Sequence, residues 1–119
     1  MMIKFYRDHN KMPRATGEDT LIQVAKFLES DVQEANTGRA MLEVITSRNS
    51  EAAEVNGNAF SVTVDEDQAI IEPLFDEEAS PLTLPASDLE KLLTAWIEFL
   101  ENPQLITLAP SCPLSAVQH

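Results

Sequence analysis

Residues 56–74, NGNAFSVTVDEDQAIIEPL, decide the fold of this chain. The opening Asn-Gly pair is a strong turn signal because both residues tolerate positive φ. Apolar and polar residues then alternate through residues 60–65, which is the period of a strand with one solvated face. Residues 65–68 (DEDQ) form a polar connection, and residues 69–74 read as the returning strand. The segment is therefore predicted to be a β-hairpin.

Apolar residues at helical spacing flank the hairpin on both sides. Residues 36–38 (NTG) are expected to end a first helix and to cap a second one. Residues 87–90 (SDLE) match a capping box that opens a third helix, and Asn102 and Pro103 stop it. The predicted inward faces are Leu21, Val24, Ala25, Leu28, Val32 and Ala35 in the first helix, Met41, Leu42 and Ile45 in the second, and Leu89, Leu92, Leu93, Trp96 and Leu100 in the third.

Two further short strands complete the predicted topology. Ile3–Arg7 reads as a strand, followed by a turn region in which Pro13 and Gly17 act as breakers, and residues 82–84 form the other. The predicted order is β-α-α-β-β-β-α, an α+β fold with a small antiparallel sheet and about three helices packed on one face. Residues 1–103 are expected to form a single domain, and residues 104–119 an irregular tail.

Composition bounds the class of protein. The 119 residues suit one domain, and 44% hydrophobic with 24% charged residues is ordinary for a globular protein. One cysteine, Cys112, excludes an internal disulfide and a cysteine-cluster metal site. Charges at Lys4 and Arg7 interrupt the N-terminus, and no segment has the roughly 18 apolar residues that would span a bilayer. A cytoplasmic location is therefore expected.

The acidic residues are unevenly distributed. The formal net charge is −12, yet residues 1–48 hold seven acids and seven bases. Residues 49–90 hold eleven acids and no Lys or Arg. This charge disfavours direct binding to nucleic acid or to anionic membrane, since both need Lys and Arg. The concentration of charge in one stretch points to a basic partner.

Residues suited to catalysis or to metal binding are sparse. The two histidines are His9 and the terminal His119, and three glycines cannot build a phosphate loop. Asp65 and Asp67 resemble the start of a calcium loop, but its central glycine and closing glutamate are missing. We therefore expect no metal, no cofactor and no enzymatic activity, although a small enzyme or a metal-dependent accessory protein stays an open alternative.

The predicted contact region lies on the hairpin and the loop that follows it. Phe75 has two interpretations, because it either closes the core or stands exposed within an acidic rim as an interface anchor. The expected partner-binding residues are Asp65, Glu66, Asp67, Glu72, Phe75, Asp76, Glu77 and Glu78.

Four segments resemble bacterial immunity proteins of contact-dependent growth inhibition (CDI) systems. They are residues 57–62 (GNAFSV), 71–79 (IEPLFDEEA), 96–100 (WIEFL) and 27–33 (FLESDVQ). The resemblance covers about two thirds of the chain, and its motifs specify the fold better than the activity. It implies a protein that binds and neutralises the C-terminal toxin domain of a secreted effector inside the cell. It does not transfer binding residues.

The leading hypothesis is an immunity protein that covers the active site of a basic nuclease, an RNase before a DNase, in a 1:1 complex with a monomer. Nuclease clefts are basic because they approach phosphate, and an acidic surface can mimic that phosphate. The alternative is an acidic nucleic-acid mimic that inhibits a DNA-binding protein. An acidic domain whose charge serves only solubility is the remaining interpretation.

Overall fold

The computed structural model describes residues 3–17, 21–47, 52–75, 80–105 and 107–108. Within these ranges the chain forms seven strands and three helices. In chain order they are β1 (Ile3–Arg7), β2 (Pro13–Gly17), α1 (Ile22–Asp31), α2 (Ala35–Thr46), β3 (Ala53–Asn56), β4 (Phe60–Asp65), β5 (Gln68–Pro73), β6 (Leu82–Pro85), α3 (Ala86–Glu101) and β7 (Thr107–Leu108). The predicted α+β class and its three helices are confirmed.

The strands form two antiparallel sheets where the sequence predicted one. The smaller sheet has the order β2-β1-β7, and the larger is the meander β3-β4-β5-β6. The predicted hairpin is confirmed as β4 and β5, with Val62 opposite Ile71 and Asp65 opposite Gln68. β2, β3 and β7 were not predicted, and β7 lies within the expected irregular tail, where Leu108 pairs with Phe5.

The expectation that Pro13 and Gly17 break the chain was wrong, since they are the ends of β2. A tight turn returns the chain onto β1: Lys11 has a φ of 63°, and the Asp8 carboxylate accepts the amides of Asn10 and Met12. Proline is tolerated at the first residue of an edge strand, because it has no N–H for the ladder.

Two predicted helix boundaries were also wrong. α1 ends at Asp31, and residues 36–38 lie inside α2, so they do not separate the helices. Gly38 is instead a site of close helix packing, because a Cβ there would lie 2.7 Å from Cγ1 of Ile97 on α3. α3 begins at Ala86, which makes Ser87 its second residue and leaves it unable to act as the predicted cap.

The core lies between the helices and both sheets, and aromatic side chains fill its centre. Trp96 on α3 packs edge-on against Phe5 of β1, with ring centroids 4.9 Å apart. Its indole N–H donates to the carbonyl of Val32 at 2.7 Å, so the buried polar atom of the ring is satisfied. The guanidinium of Arg7 donates to the carbonyl of Phe99 at 2.8 Å and so provides a hydrogen-bond partner for a backbone carbonyl in the last turn of α3. β1 is thereby joined to α3.

Candidate functional site

The four-stranded sheet has two chemically distinct faces because successive side chains in a strand point to opposite sides. Its inner face packs in the core, where the rings of Phe27 on α1 and Phe60 on β4 lie 6.0 Å apart. The inner face consists of Ala53, Val55, Phe60, Val62, Val64, Ala69, Ile71, Pro73, Leu82 and Leu84. The outer face consists of Glu54, Asn56, Ser61, Thr63, Asp65, Gln68, Ile70, Glu72, Thr83 and Pro85.

All three acidic side chains in the strands of this sheet belong to the outer face. Glu54, Asp65 and Glu72 are exposed, and the four strands contain no Lys or Arg. None of the three takes part in an ion pair within the described part of the chain. Their charge is therefore not neutralised by neighbouring cations there.

The hairpin turn adds acids at one end of this face. Glu66 and Asp67 form a two-residue connection between the paired Asp65 and Gln68, and Glu66 has a φ of 55°. The carbonyl of Asp67 accepts the amide of Ala86 at 2.8 Å, so the turn is fixed to the start of α3. The predicted trio Asp65, Glu66 and Asp67 is thus exposed and adjacent on a supported turn.

Phe75 lies beyond the opposite end of the hairpin. Its side chain is 82% exposed, which removes the core interpretation and leaves the exposed one. Asp65 and Phe60 mark the two ends of β4, so the acidic turn and the Phe75 end are about 17 Å apart at 3.3 Å per residue. The predicted contact residues therefore spread along the whole hairpin.

The remaining predicted contact residues can be placed only in part. Glu72 shares the outer face with Asp65, since the two belong to the same alternation across the β4–β5 pair. Asp76, Glu77 and Glu78 lie outside the described residues.

A buried carboxylate at the Phe75 end of the hairpin was missed by the sequence interpretation. Asp31 is 6% exposed, and its two oxygens accept the amides of Ala59 and Phe60, each at 2.9 Å. Gly57 lies so close that an added Cβ would overlap this carboxylate. The signal was present, because Asp31 follows Val24 by seven residues and so shares its inward face of α1. The acid fixes the entry to β4 onto α1.

A groove of about 580 Å³ opens between α1, β2 and this end of the hairpin. Ile22 and Phe75 supply exposed apolar wall, and Lys26 and Glu29 supply charge. This groove was not predicted, because its walls come from four separate segments of the chain, at residues 14, 22–30, 59–60 and 73–75.

On the wall of the groove, Arg14 forms ion pairs with two acids. Its guanidinium contacts the Asp8 carboxylate at 3.0 Å and that of Glu29 at 3.5 Å. The pKa of Asp8 is lowered, first by the hydrogen bond from the Met12 amide and then by that from Arg14. The pKa of Arg14 is raised, chiefly by its hydrogen bond to Asp8. Glu29 also accepts the amide of Ala15 at 2.8 Å, so its charge is compensated locally.

The described residues bring no three His, Cys, Asp or Glu side chains together as metal ligands. Among the helices described, none is long and apolar enough to cross a membrane. His9 is exposed on the β1–β2 turn, and Cys112 and His119 lie outside the described residues. What the arrangement offers chemically is a charged sheet face and an apolar groove.

Comparison of the chain with protein-family models, with curated proteins and with solved structures gave no match.

Proposed function

We propose that this protein is an inhibitor that binds a basic protein partner through the outer face of its four-stranded sheet. Within that class we propose an immunity protein that neutralises a cognate bacterial toxin domain in the cytoplasm. The toxin is a basic nuclease, an RNase before a DNase, and the acidic face covers its active site.

The observation that carries the proposal is the segregation of charge on the sheet. Glu54, Asp65 and Glu72 share the outer face, with no cation in the four strands. Glu66 and Asp67 extend this charge at the hairpin turn. Complementary fields of this kind steer association and raise its rate, while shape and buried anchors supply specificity.

The geometry supports a compact nuclease cleft better than a long duplex-binding surface as the occupant. The acids of the outer face lie on strands of four to six residues, so the charged area is about 20 Å long. Duplex DNA carries about one charge per 1.7 Å of its axis, or about 12 over this length, whereas the described outer face and hairpin turn carry five acids. The nucleic-acid-mimic alternative therefore takes second place.

The proposal predicts that a large secreted effector is encoded immediately upstream of this protein, and it is tested by co-expression with the C-terminal domain of that effector. We expect the pair to co-purify as a 1:1 complex, and the purified protein to suppress RNA or DNA cleavage by that domain. Growth arrest and cleavage that persist with the protein in excess would reject the proposal.

A charge-matched pair of variants identifies the surface. Glu54→Gln, Asp65→Asn and Glu72→Gln together neutralise the outer face, and we expect them to weaken inhibition. The control carries Glu34→Gln, Glu43→Gln and Glu98→Gln, which remove the same charge from exposed positions in and beside the helices. Equal inhibition by the two triple variants would remove the outer face from the model.

A further inference from the structure

The groove beside Phe75 has an apolar wall that the fold does not cover. Phe75 is 82% exposed and Ile22 is 44% exposed, and both line the groove together with Pro73. Large apolar side chains gathered at one concave site indicate an interaction surface more strongly than single exposed ones do.

The groove differs from the outer face in carrying cationic side chains. Lys26 lines it and makes no ion pair within the described part of the chain. Arg14 and Glu29 line it too, but their side chains pair with each other at 3.5 Å, and Arg14 also pairs with Asp8 at 3.0 Å. Among the described residues, the groove thus offers in Lys26 a cation without an ion pair next to apolar surface.

We propose that this groove is a second binding site, which receives from a protein partner one apolar side chain with a carboxylate beside it. The apolar group packs between Ile22 and Phe75, and the carboxylate pairs with Lys26. The inference rests on the proposed function in one respect, since the segment that enters the groove is taken to belong to the toxin domain that binds the outer face.

A protein segment suits the groove better than a free small molecule. Small-molecule sites usually bury 70–90% of their ligand, whereas one wall of this groove is a phenylalanine that is itself 82% exposed. A segment already held by a larger interface loses less freedom on docking and does not need enclosure. Phe60 and Pro73 line the groove and belong to the inner face, so a partner on the outer face reaches the groove by extending around the Phe75 end of the hairpin.

The consequence is a stricter requirement on the partner. A protein that is merely basic matches the outer face, but only one that also carries an acidic and apolar segment at the right distance matches the groove. This second requirement would let the protein reject basic proteins that lack such a segment.

The test uses short peptide probes and does not require the toxin. Amide chemical shifts of the full-length protein are followed by NMR during titration with acetyl-Gly-Asp-Phe-Gly-amide. Two matched peptides replace the Asp with Lys or the Phe with Gly. We expect weak binding, with a Kd of about 10 mM, and shifts centred on residues 22–26, 59–60 and 73–75. The acidic aromatic peptide should bind at least threefold more tightly than either matched peptide.

Variants assign the effect to the two named side chains. Lys26→Gln should abolish the preference for the acidic peptide, and its control Lys91→Gln on α3 should retain it. Phe75→Ala should weaken binding at least threefold, whereas Met12→Ala, which also alters an exposed apolar side chain, should not. All four positions are exposed, and a well-dispersed spectrum for each variant verifies its fold.

Absent shifts, shifts centred elsewhere, or equal binding of the acidic and basic peptides would overturn the inference. None of these results bears on whether the protein inhibits a nuclease. Conversely, a failed toxin complex with an intact peptide response would reject the proposed function and leave the groove as a binding site.

Discussion

The inner and outer faces of the four-stranded sheet are built by the same strands but carry different chemistry. On the inner face every side chain is apolar, and Val62, Val64 and Ile71 are at most 2% exposed. On the outer face Glu54, Asp65 and Glu72 are exposed and lack cationic neighbours within the sheet. Since alternation along a strand separates the two sets, a substitution on one face leaves the other in place.

The different chemistry of the two faces indicates that the inner face stabilises the fold and that the outer face is available for recognition. Burial of apolar area contributes about 25 cal/mol per Å², so the inner face stabilises the fold. Exposed acids add little to stability and repel one another. Their concentration on one face has no evident role in folding, which is why we propose that this face binds a partner.

The largest expected effect on the free energy of unfolding comes from comparing two adjacent isoleucines of β5. Ile71 faces the core and is fully buried, and Ile70 faces outward and is half-buried. We expect Ile71→Ala to lower the free energy of unfolding by about 3–4 kcal/mol. Ile70→Ala should lower it by about 1 kcal/mol or less. Urea unfolding followed by the fluorescence of Trp96, the single tryptophan, measures both. Equal losses would contradict the assignment of the faces.

We expect the buried carboxylate of Asp31, like the inner face, to stabilise the fold. Asp31→Ala leaves the amides of Ala59 and Phe60 without their acceptor, so we expect a loss of about 3 kcal/mol. Asp67→Ala, which removes an exposed acid from the hairpin turn, should change stability by less than about 0.5 kcal/mol. The same urea unfolding experiment compares the two. A small effect at Asp31 would mean that the β3–β4 connection is held by other contacts.

Gly57 lies close to the Asp31 carboxylate, and we expect a substitution there to cause a smaller loss of stability. The Cβ introduced by Gly57→Ala would overlap the carboxylate, so one of the two must shift. We expect a loss of about 1–2 kcal/mol. Because Gly57 does not have a positive φ, the loss would come from crowding and not from backbone strain. In the double variant with Asp31→Ala most of this cost should disappear, and its persistence would refute the crowding argument.

The smallest expected effect concerns pH and the β1–β2 turn. The pKa of Asp8 is lowered from its ordinary value of 3.8 by the amide of Met12 and then by Arg14. A depressed pKa in the folded state means that the stabilisation is complete above the unfolded value and is lost as the pH falls through the folded one. The stability difference between the wild type and Asp8→Asn should therefore be constant from pH 7 to pH 5 and shrink below 3.8. A difference that grows on acidification would contradict this sign.

Local patterns predicted much of this fold. Alternation over residues 60–65, with a returning strand over residues 69–74, identified the hairpin, and helical spacing identified the inward Leu89, Leu92, Leu93 and Trp96. Boundaries failed where a tertiary contact outweighed a local signal. The low helix propensity of glycine predicts a helix end at Gly38. The residue nevertheless lies within α2, where it allows the helix to pack closely on Ile97. Ser87 matches a cap by spacing, but the amide of Ala86 already bonds to Asp67.

The sequence predicted the acidic residues of the candidate site but not the groove. The acids of residues 65–67 and Glu72 were identified from the charge distribution, and alternation over residues 60–65 was sufficient to place Asp65 on the solvated face. The placement of Glu72 on that face comes from its pairing with Ser61 in the structure. Glu54 was not included, because β3 has only four residues and was not recognised as a strand. The groove depends on how α1 lies against the hairpin, which no local pattern encodes.

The most direct test of the central claim is the salt dependence of association with the toxin domain. Association rate constants are measured by stopped flow from 20 mM to 1 M salt for the wild type and for the two charge-neutralised triple variants. At low salt we expect the outer-face variant to associate about tenfold more slowly than the control variant. The two rates should converge near 1 M, where the Debye length is about 3 Å. Identical rates for both variants across the whole range would contradict the account.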